Sequence, residues 1–216
     1  MFFMRILALF FALAAIAPQV ARPAETPQRV SLSGTLVSST ASALVINTSS
    51  GRKTVAYNPK VKFFVVSKSA LANVTAGTFL GTTVAPQPDG TFTSTEVHIF
   101  APALRGTGEG FTQMGDSGRH MMANATVRSV ASPNMMANST VRTVGSTGAG
   151  KTITMTFPSG TKTIHIPSNV PVFYLEPGTP AMLASGVHVR VIALAEGNAL
   201  TARFVLVGKN GLIPPS

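Results

Sequence analysis

Apolar and polar residues alternate in short runs along most of this chain, and glycine, proline, asparagine and serine separate the runs. Runs of four to eight residues that are rich in valine, isoleucine, threonine and phenylalanine predict β-strands. In the first half we expect strands at about 30–38, 43–48, 52–57, 61–66, 78–85 and 92–100, with one helical turn in 67–74. The pattern therefore predicts an all-β protein.

The N-terminal pattern is different. Arg5 precedes an uninterrupted apolar run from Ile6 to Ala17, and small residues follow at Ala21 and Ala24. The run is shorter than the roughly 20 residues that a membrane span needs, and its flanks are those of a secretory signal peptide. We therefore interpret residues 1–24 as a cleaved signal peptide with its processing region, and expect a periplasmic or secreted mature protein.

The strand pattern occurs twice. The segment 51–57 aligns with 160–166 at an offset of 109, and the same offset pairs Phe64 with Phe173 and Gly77 with Gly186. Five or six short strands with one small helical element are typical of a small closed OB-like barrel. We predict two tandem OB-like β-barrel modules, 29–100 and 136–208, separated by a Gly- and Met-rich linker, 101–135, and followed by a tail, 209–216.

A second, shorter duplication begins in the linker. Residues 121–132 and 135–146 are identical at nine of twelve positions, and both copies resemble the first strand of module two. We predict that the second copy forms this strand, because it connects directly to the next one. The first copy would then be an extra edge strand or an unpaired segment.

The composition restricts the chemistry. The chain has 17 Lys and Arg against 7 Asp and Glu, a net charge of +10, and no cysteine. These counts exclude disulfide scaffolds, thiol catalysis and cysteine-ligated zinc, and they disfavour paired-carboxylate and two-metal sites. We predict a non-enzymatic binding or scaffold protein that contacts an anionic envelope surface or polymer, or another envelope protein. The candidate anion-binding residues are Arg52, Lys53, Lys60, Lys62 and Lys68.

Aromatic residues interleave this basic stretch at Tyr57, Phe63 and Phe64. On an OB-like barrel, exposed aromatic rings beside lysines would suit single-stranded nucleic acid, which is a further alternative. The other interpretation is that Tyr57 and Phe63 belong to the core and that the lysines are solvated.

The linker contains a second candidate site. Thioether and imidazole groups suit Cu(I), so a periplasmic copper-binding accessory role is the alternative function. Against it, the methionine pairs arise from one duplication, and methionine is a common filler of apolar cores. The candidate ligands are Met114, His120, Met121, Met122, Met135 and Met136.

Two other motifs have weaker support. Gly145 to Thr152 matches the P-loop pattern, but a P-loop requires a following helix, and residues 153–157 alternate as a strand does. We therefore expect no ATP binding. His98 and His165 each stand between apolar strand residues and are predicted to face solvent, and no local motif indicates a Ser–His–acid set.

Several segments carry a family resemblance. They are Gly34–Val37, Ala70–Gly77, Pro86–Gly90, Glu96–Phe100, Arg105–Gly110, Asn124–Val127 and Val207–Gly211, and they extend over most of the mature chain. In these segments the chain resembles a family of secreted proteobacterial proteins, without an assigned function, that carry tandem small β-barrels. Some of its members are labelled metal ABC transporter permease, and this implies at most a metal-related role. The run with Arg105 and Glu109 is the most specific part of the resemblance and makes these two residues the linker motif of interest.

Overall fold

The computed structural model describes residues 26–114, 120–131, 150–157 and 159–215, so the predicted signal peptide lies outside the described residues. The all-β prediction is confirmed: the described strands form one sheet, and only short 3-10 turns accompany them. The predicted strands of the first half agree with the structure to within two residues. The strands are β1 Gln28–Ser39, β2 Ala43–Thr48, β3 Gly51–Ala56, β4 Lys62–Lys68, β5 Phe79–Pro86, β6 Phe92–Phe100, β7 Gly110–Met114, β8 His120–Ala131, β9 Lys151–Phe157, β10 Gly160–Ile166, β11 Val172–Pro177, β12 His188–Glu196 and β13 Ala199–Gly208.

The sheet closes on itself twice. In ring A, β8, β5, β6, β10 and β9 are paired in that order, and β9 pairs with β8 again. In ring B, β1, β12, β13, β3 and β2 are paired in the same way. Strands β4 and β11 connect the rings, because β11 pairs with β6 and β4, and β4 pairs with β13. Closure leaves few unpaired strand edges.

Each ring is built from both halves of the sequence. Ring A buries Leu80 and Val97 of the first half against Ile153 and Ile164 of the second. Ring B likewise combines β1, β2 and β3 with β12 and β13. The finer prediction of two tandem OB-like modules is therefore not confirmed. The repeat predicts the order of the strands along the chain. It does not predict that the hairpin β5–β6 completes the ring of the second half and the hairpin β12–β13 that of the first half.

An approximate two-fold axis relates the halves. Strands β4 and β11 are antiparallel, and Val66 lies opposite Leu175, its own counterpart at the offset of 109. Gly77 and Gly186, another corresponding pair, both turn the chain with positive φ, 85° and 89°, which glycine adopts without a steric penalty. The equivalence extends to β5, β6, β12 and β13, where both hairpins carry a bulge at the same place. A residue in a paired strand of one ring can therefore be compared with the residue at the equivalent position of the other ring.

The first copy of the short duplication, not the second, is the strand of ring A. β8 pairs with β5 and β9, while β7 occupies the edge beside it, so the sequence prediction for this strand is wrong. One physical reason is burial: Ala125 is 0% exposed, and the second copy has Ser139 at this place, whose hydroxyl would be desolvated. The β7–β8 hairpin, with Met114 opposite His120, also delivers the first copy directly to this place. The second copy, 135–146, lies outside the described residues.

Candidate ligand-binding site

A cavity of about 660 Å³ opens where the turn before β4 meets the segments that follow β6 and β11. We call it the lysine cavity, because Lys62 stands in its wall. Its volume is in the range of small-molecule sites, which are mostly apolar with a few polar groups. Other lining residues include Tyr57, Asn58, Val61, Phe63, Leu104 and Gly178. No carboxylate lines it in the part of the chain that the structure describes.

The turn from Asn58 to Val61 shapes one side of the lysine cavity. The side chain of Asn58 accepts a hydrogen bond from the backbone N–H of Lys60 at 2.9 Å, and its carbonyl accepts one from Val61 at 3.0 Å. On the opposite side, the N–H of Gly178 donates to the carbonyl of Phe63 at 2.8 Å. These bonds hold the two walls, so the cavity is formed before any ligand arrives.

The structure separates the five candidate anion-binding residues. Lys60 and Lys62 are exposed on the turn and the first residue of β4, beside the lysine cavity. Lys68 is exposed at the other end of β4, about 20 Å away at the usual rise per residue. Arg52 and Lys53 lie at the start of β3, where Arg52 donates to the side chain of Asn47. Only Lys60 and Lys62 therefore accompany a cavity.

The aromatic residues of the basic stretch belong to the core. Tyr57 and Phe63 are each 8% exposed and contact each other edge to face, with ring centroids 5.6 Å apart. Phe64 is 5% exposed and packs on Phe204. This matches the core interpretation of the sequence and removes the exposed rings that base stacking requires. Only small edges of these rings reach the lysine cavity.

The methionine cluster is divided between two faces of β8. Met121 packs against the core of ring A, together with Ala123 and Ala125. Because successive strand residues point to opposite faces, His120 and Met122 lie on the other side of the sheet. Met121 therefore cannot join them around one ion without leaving the core. Met135 and Met136 lie outside the described residues, as does the side chain of Met114, so copper binding by the remainder stays a prediction.

Lys151 of the P-loop match has a structural role. It begins strand β9 rather than a helix. Its ammonium group donates to the backbone carbonyls of Val74 at 2.8 Å and Ala72 at 3.3 Å. These bonds occupy the amine that a P-loop would direct at a phosphate.

Arg105 of the linker motif fastens its loop to ring A. Its guanidinium group donates to the carbonyl of Gly77 at 2.9 Å and to the hydroxyl of Thr126 at 2.8 Å. Asn124 adds a bond to the carbonyl of Gly108 at 3.0 Å. Glu109 is exposed. The hydrogen bonds of Arg105 hold the loop against ring A, so a structural role accounts for this residue of the motif.

A buried polar group occupies the outer face of β6. His98 is 8% exposed, so the prediction that it faces solvent is wrong: β11 pairs with β6, and the ring of Phe173, in register with His98, packs against the imidazole. Its Nε2 lies 3.0 Å from Oε1 of Glu96, although the two atoms do not form a hydrogen bond of ordinary geometry. Burial lowers the pKa of Arg190 on β12, and the nearby Glu96 carboxylate opposes this effect. Arg190 also donates to the carbonyl of Pro215 at 2.9 Å, which ties the C-terminal tail to this group.

A second cavity, of about 540 Å³, lies on ring A, and several polar side chains stand among its lining residues. We call it the histidine cavity. His165, exposed as predicted, lies in register between Thr93 on β6 and Thr152 on β9. Asp89, in the turn between β5 and β6, is on its rim, and hydrogen bonds from Thr91, with a smaller effect of His165, lower the pKa of its carboxyl. Sequence reasoning treated Asp89 only as a turn signal and Thr152 only as part of the P-loop match. The alignment of the repeats could have singled out Thr152 and His165.

Comparison with known proteins adds no identity: no family model, curated protein or solved structure matches the chain. The family resemblance therefore stays a prediction. Within the described segments, no helix is long and apolar enough to cross a membrane. Nor do three or more histidine and acidic side chains come together there as a metal site would require.

Proposed function

We propose that this chain is an exported binding protein of the bacterial envelope that takes an anionic amphiphile into the lysine cavity. The observation that carries this proposal is the combination of an apolar lining, Lys62 in the wall and no lining carboxylate among the described residues. An acyl chain would contact the apolar lining, and its anionic head would meet the ammonium group of Lys62. Binding rather than catalysis is the proposed role.

The charge of the whole chain supports this choice of ligand. A net charge of +10 attracts anions over longer distances and raises their rate of encounter. Lys60 is an exposed residue of the turn that forms one side of the cavity, and it adds a second positive charge to this region. A neutral or cationic amphiphile would gain the apolar contacts but not this attraction.

The test is calorimetric titration with laurate below its micelle concentration. Dodecyl maltoside and dodecylammonium serve as neutral and cationic probes of the same chain length. Lys62→Gln should weaken laurate binding by about tenfold or more, since a charge-assisted hydrogen bond contributes about 1.5–3 kcal/mol. Lys68→Gln, on the same strand and equally exposed, is the matched control and should leave the affinity unchanged.

Two results would contradict the proposal. The first is equal binding of the three amphiphiles, because the lysines would then play no part. The second is an equal loss in both variants, which would indicate attraction by net charge rather than a site. Binding to heparin without binding to laurate would also contradict it, because the anion would then bind to the surface of the protein and not in the cavity.

A further inference from the structure

The histidine cavity contains polar side chains that the fold itself does not require. His165 corresponds to Ala56 in ring B, and Thr152 corresponds to Ala43, in the same register between paired strands. Ring B therefore closes with two alanines where ring A has an imidazole and a hydroxyl. The turn with Asp89 is also one residue longer than its counterpart between β12 and β13. The approximate symmetry thus shows that alanines are sufficient to close a ring at these two positions, and that the imidazole and the hydroxyl are additions in ring A.

The two added groups form a row with Thr93, whose counterpart in ring B is also a threonine, Thr201, and a carboxylate lies at the rim of this row. Nδ1 of His165 lies 2.8 Å from Oγ1 of Thr152, and Thr93 is its neighbour on the other side. In the turn, Oδ1 of Asp89 accepts two hydrogen bonds from Thr91, at 2.9 Å from N–H and 2.6 Å from the hydroxyl. Oδ2 of Asp89 and Nε2 of His165 have no hydrogen-bond partner among the described residues. Both atoms are available to a ligand.

Apolar groups and bare backbone complete the cavity. Pro88 and Pro167 line it beside the polar row, while the side chain of Ile166 is buried in the core of ring A. Gly150 also lines it, and a side chain there would collide with the carbonyl of Ile166. The cavity therefore offers apolar surface next to hydrogen-bonding groups.

We propose that the histidine cavity binds neutral carbohydrate. A sugar hydroxyl both donates and accepts hydrogen bonds, and the cavity supplies acceptors in Asp89 and both kinds of group in Thr93, Thr152 and His165. The C–H faces of a sugar ring would lie on the surface of Pro88 and Pro167. An anion would meet the carboxylate of Asp89, and an amine, which only donates, would leave the donors of the row without partners. This site is separate from the lysine cavity and does not depend on the proposed function.

The test uses NMR titration of the imidazole resonances of His165 with three neutral tetrasaccharides. The probes are maltotetraose, cellotetraose and the N-acetylglucosamine tetramer, with glucose to distinguish a chain from a free sugar and putrescine as a cationic probe. We expect saturable binding of at least one tetrasaccharide. The double variant His165→Ala/Thr152→Ala copies the residues of ring B and should retain the fold while weakening that binding at least tenfold.

Its laurate affinity should not change, and this separates the two proposals. Asp89→Asn, which preserves a side-chain acceptor for Thr91, is a second variant in case the double variant unfolds, and it too should weaken saccharide binding. The inference is overturned if no tetrasaccharide binds at millimolar concentration, or if putrescine binds instead. It is also overturned if a folded variant binds the saccharide as well as the original chain does.

Discussion

Two buried hydroxyls in ring A provide a sharp test of the approximate symmetry. Thr82 is 0% and Ser94 is 2% exposed, and their oxygens lie 2.7 Å apart. Thr82 also donates to the carbonyl of Glu96 at 2.8 Å. The same places in ring B hold Val191 and Ala202, so an apolar pair satisfies the same backbone.

Removing one hydroxyl leaves the other buried with fewer partners. We expect Thr82→Val alone, which leaves the Ser94 hydroxyl only a long bond of 3.4 Å to the carbonyl of Glu96, to lower the free energy of unfolding by about 1–3 kcal/mol. Ser94→Ala alone should cost less, about 1 kcal/mol, because Thr82 keeps its bond to Glu96. The double variant, which copies ring B, should lie within about 1 kcal/mol of the original chain, because no unpaired hydroxyl remains.

Urea unfolding monitored by circular dichroism measures all four chains of this cycle. For a chain of this length, 1 kcal/mol corresponds to about 2–4 °C in Tm, so calorimetry provides a second measure. If the double variant loses the sum of the two single losses, the hydroxyls act independently, and the reasoning from the symmetry is refuted.

Three further predictions concern ring A. Ala125→Ser should cost about 1–3 kcal/mol in urea unfolding, because it buries a hydroxyl at the place where the first copy of the duplication has none; an unchanged stability would remove our explanation of why this copy was chosen. Arg105→Gln should cost about 1 kcal/mol through its bonds to Gly77 and Thr126 and leave laurate titrations unchanged, and weaker laurate binding at full stability would contradict its structural role. The pKa of Asp89 is lowered in the fold, so its carboxylate stabilises the chain above the ordinary value of 3.8, and this contribution is lost as pH falls through the lowered value. The Tm difference between the original chain and Asp89→Asn should therefore shrink below pH 3.8, and a difference that grows on acidification would show the opposite sign.

Local pattern was sufficient for the strands but not for their partners. Alternation around Leu44 and Ile46, or around Ile164 and Ile166, indicates a strand with one buried face, and both pairs are buried. The same alternation cannot say that β5 and β6 complete the ring of the other half. Which hairpin completes which ring depends on the antiparallel pairing of β4 with β11, which is a contact between distant parts of the chain.

The candidate sites show a similar limit. Alternation places both His98 and His165 on the outer face of a strand, yet Phe173 of the neighbouring strand β11 packs on His98, while His165 is exposed. Lys62 could be selected from charge, but its apolar surroundings come from segments after β6 and β11 that lie far from it in sequence. The polar row of the histidine cavity could have been predicted, because the alignment of the repeats pairs His165 with Ala56.

The central claim of the proposed function is that an anionic amphiphile lies inside the lysine cavity. Isotope-filtered NOE spectra of the labelled chain with laurate test it most directly. We predict contacts from the laurate methylenes to the ring of Tyr57 and the methyl groups of Leu104, both of which line the cavity. NOEs confined to surface residues outside this lining, or their absence at saturating laurate, would contradict the claim.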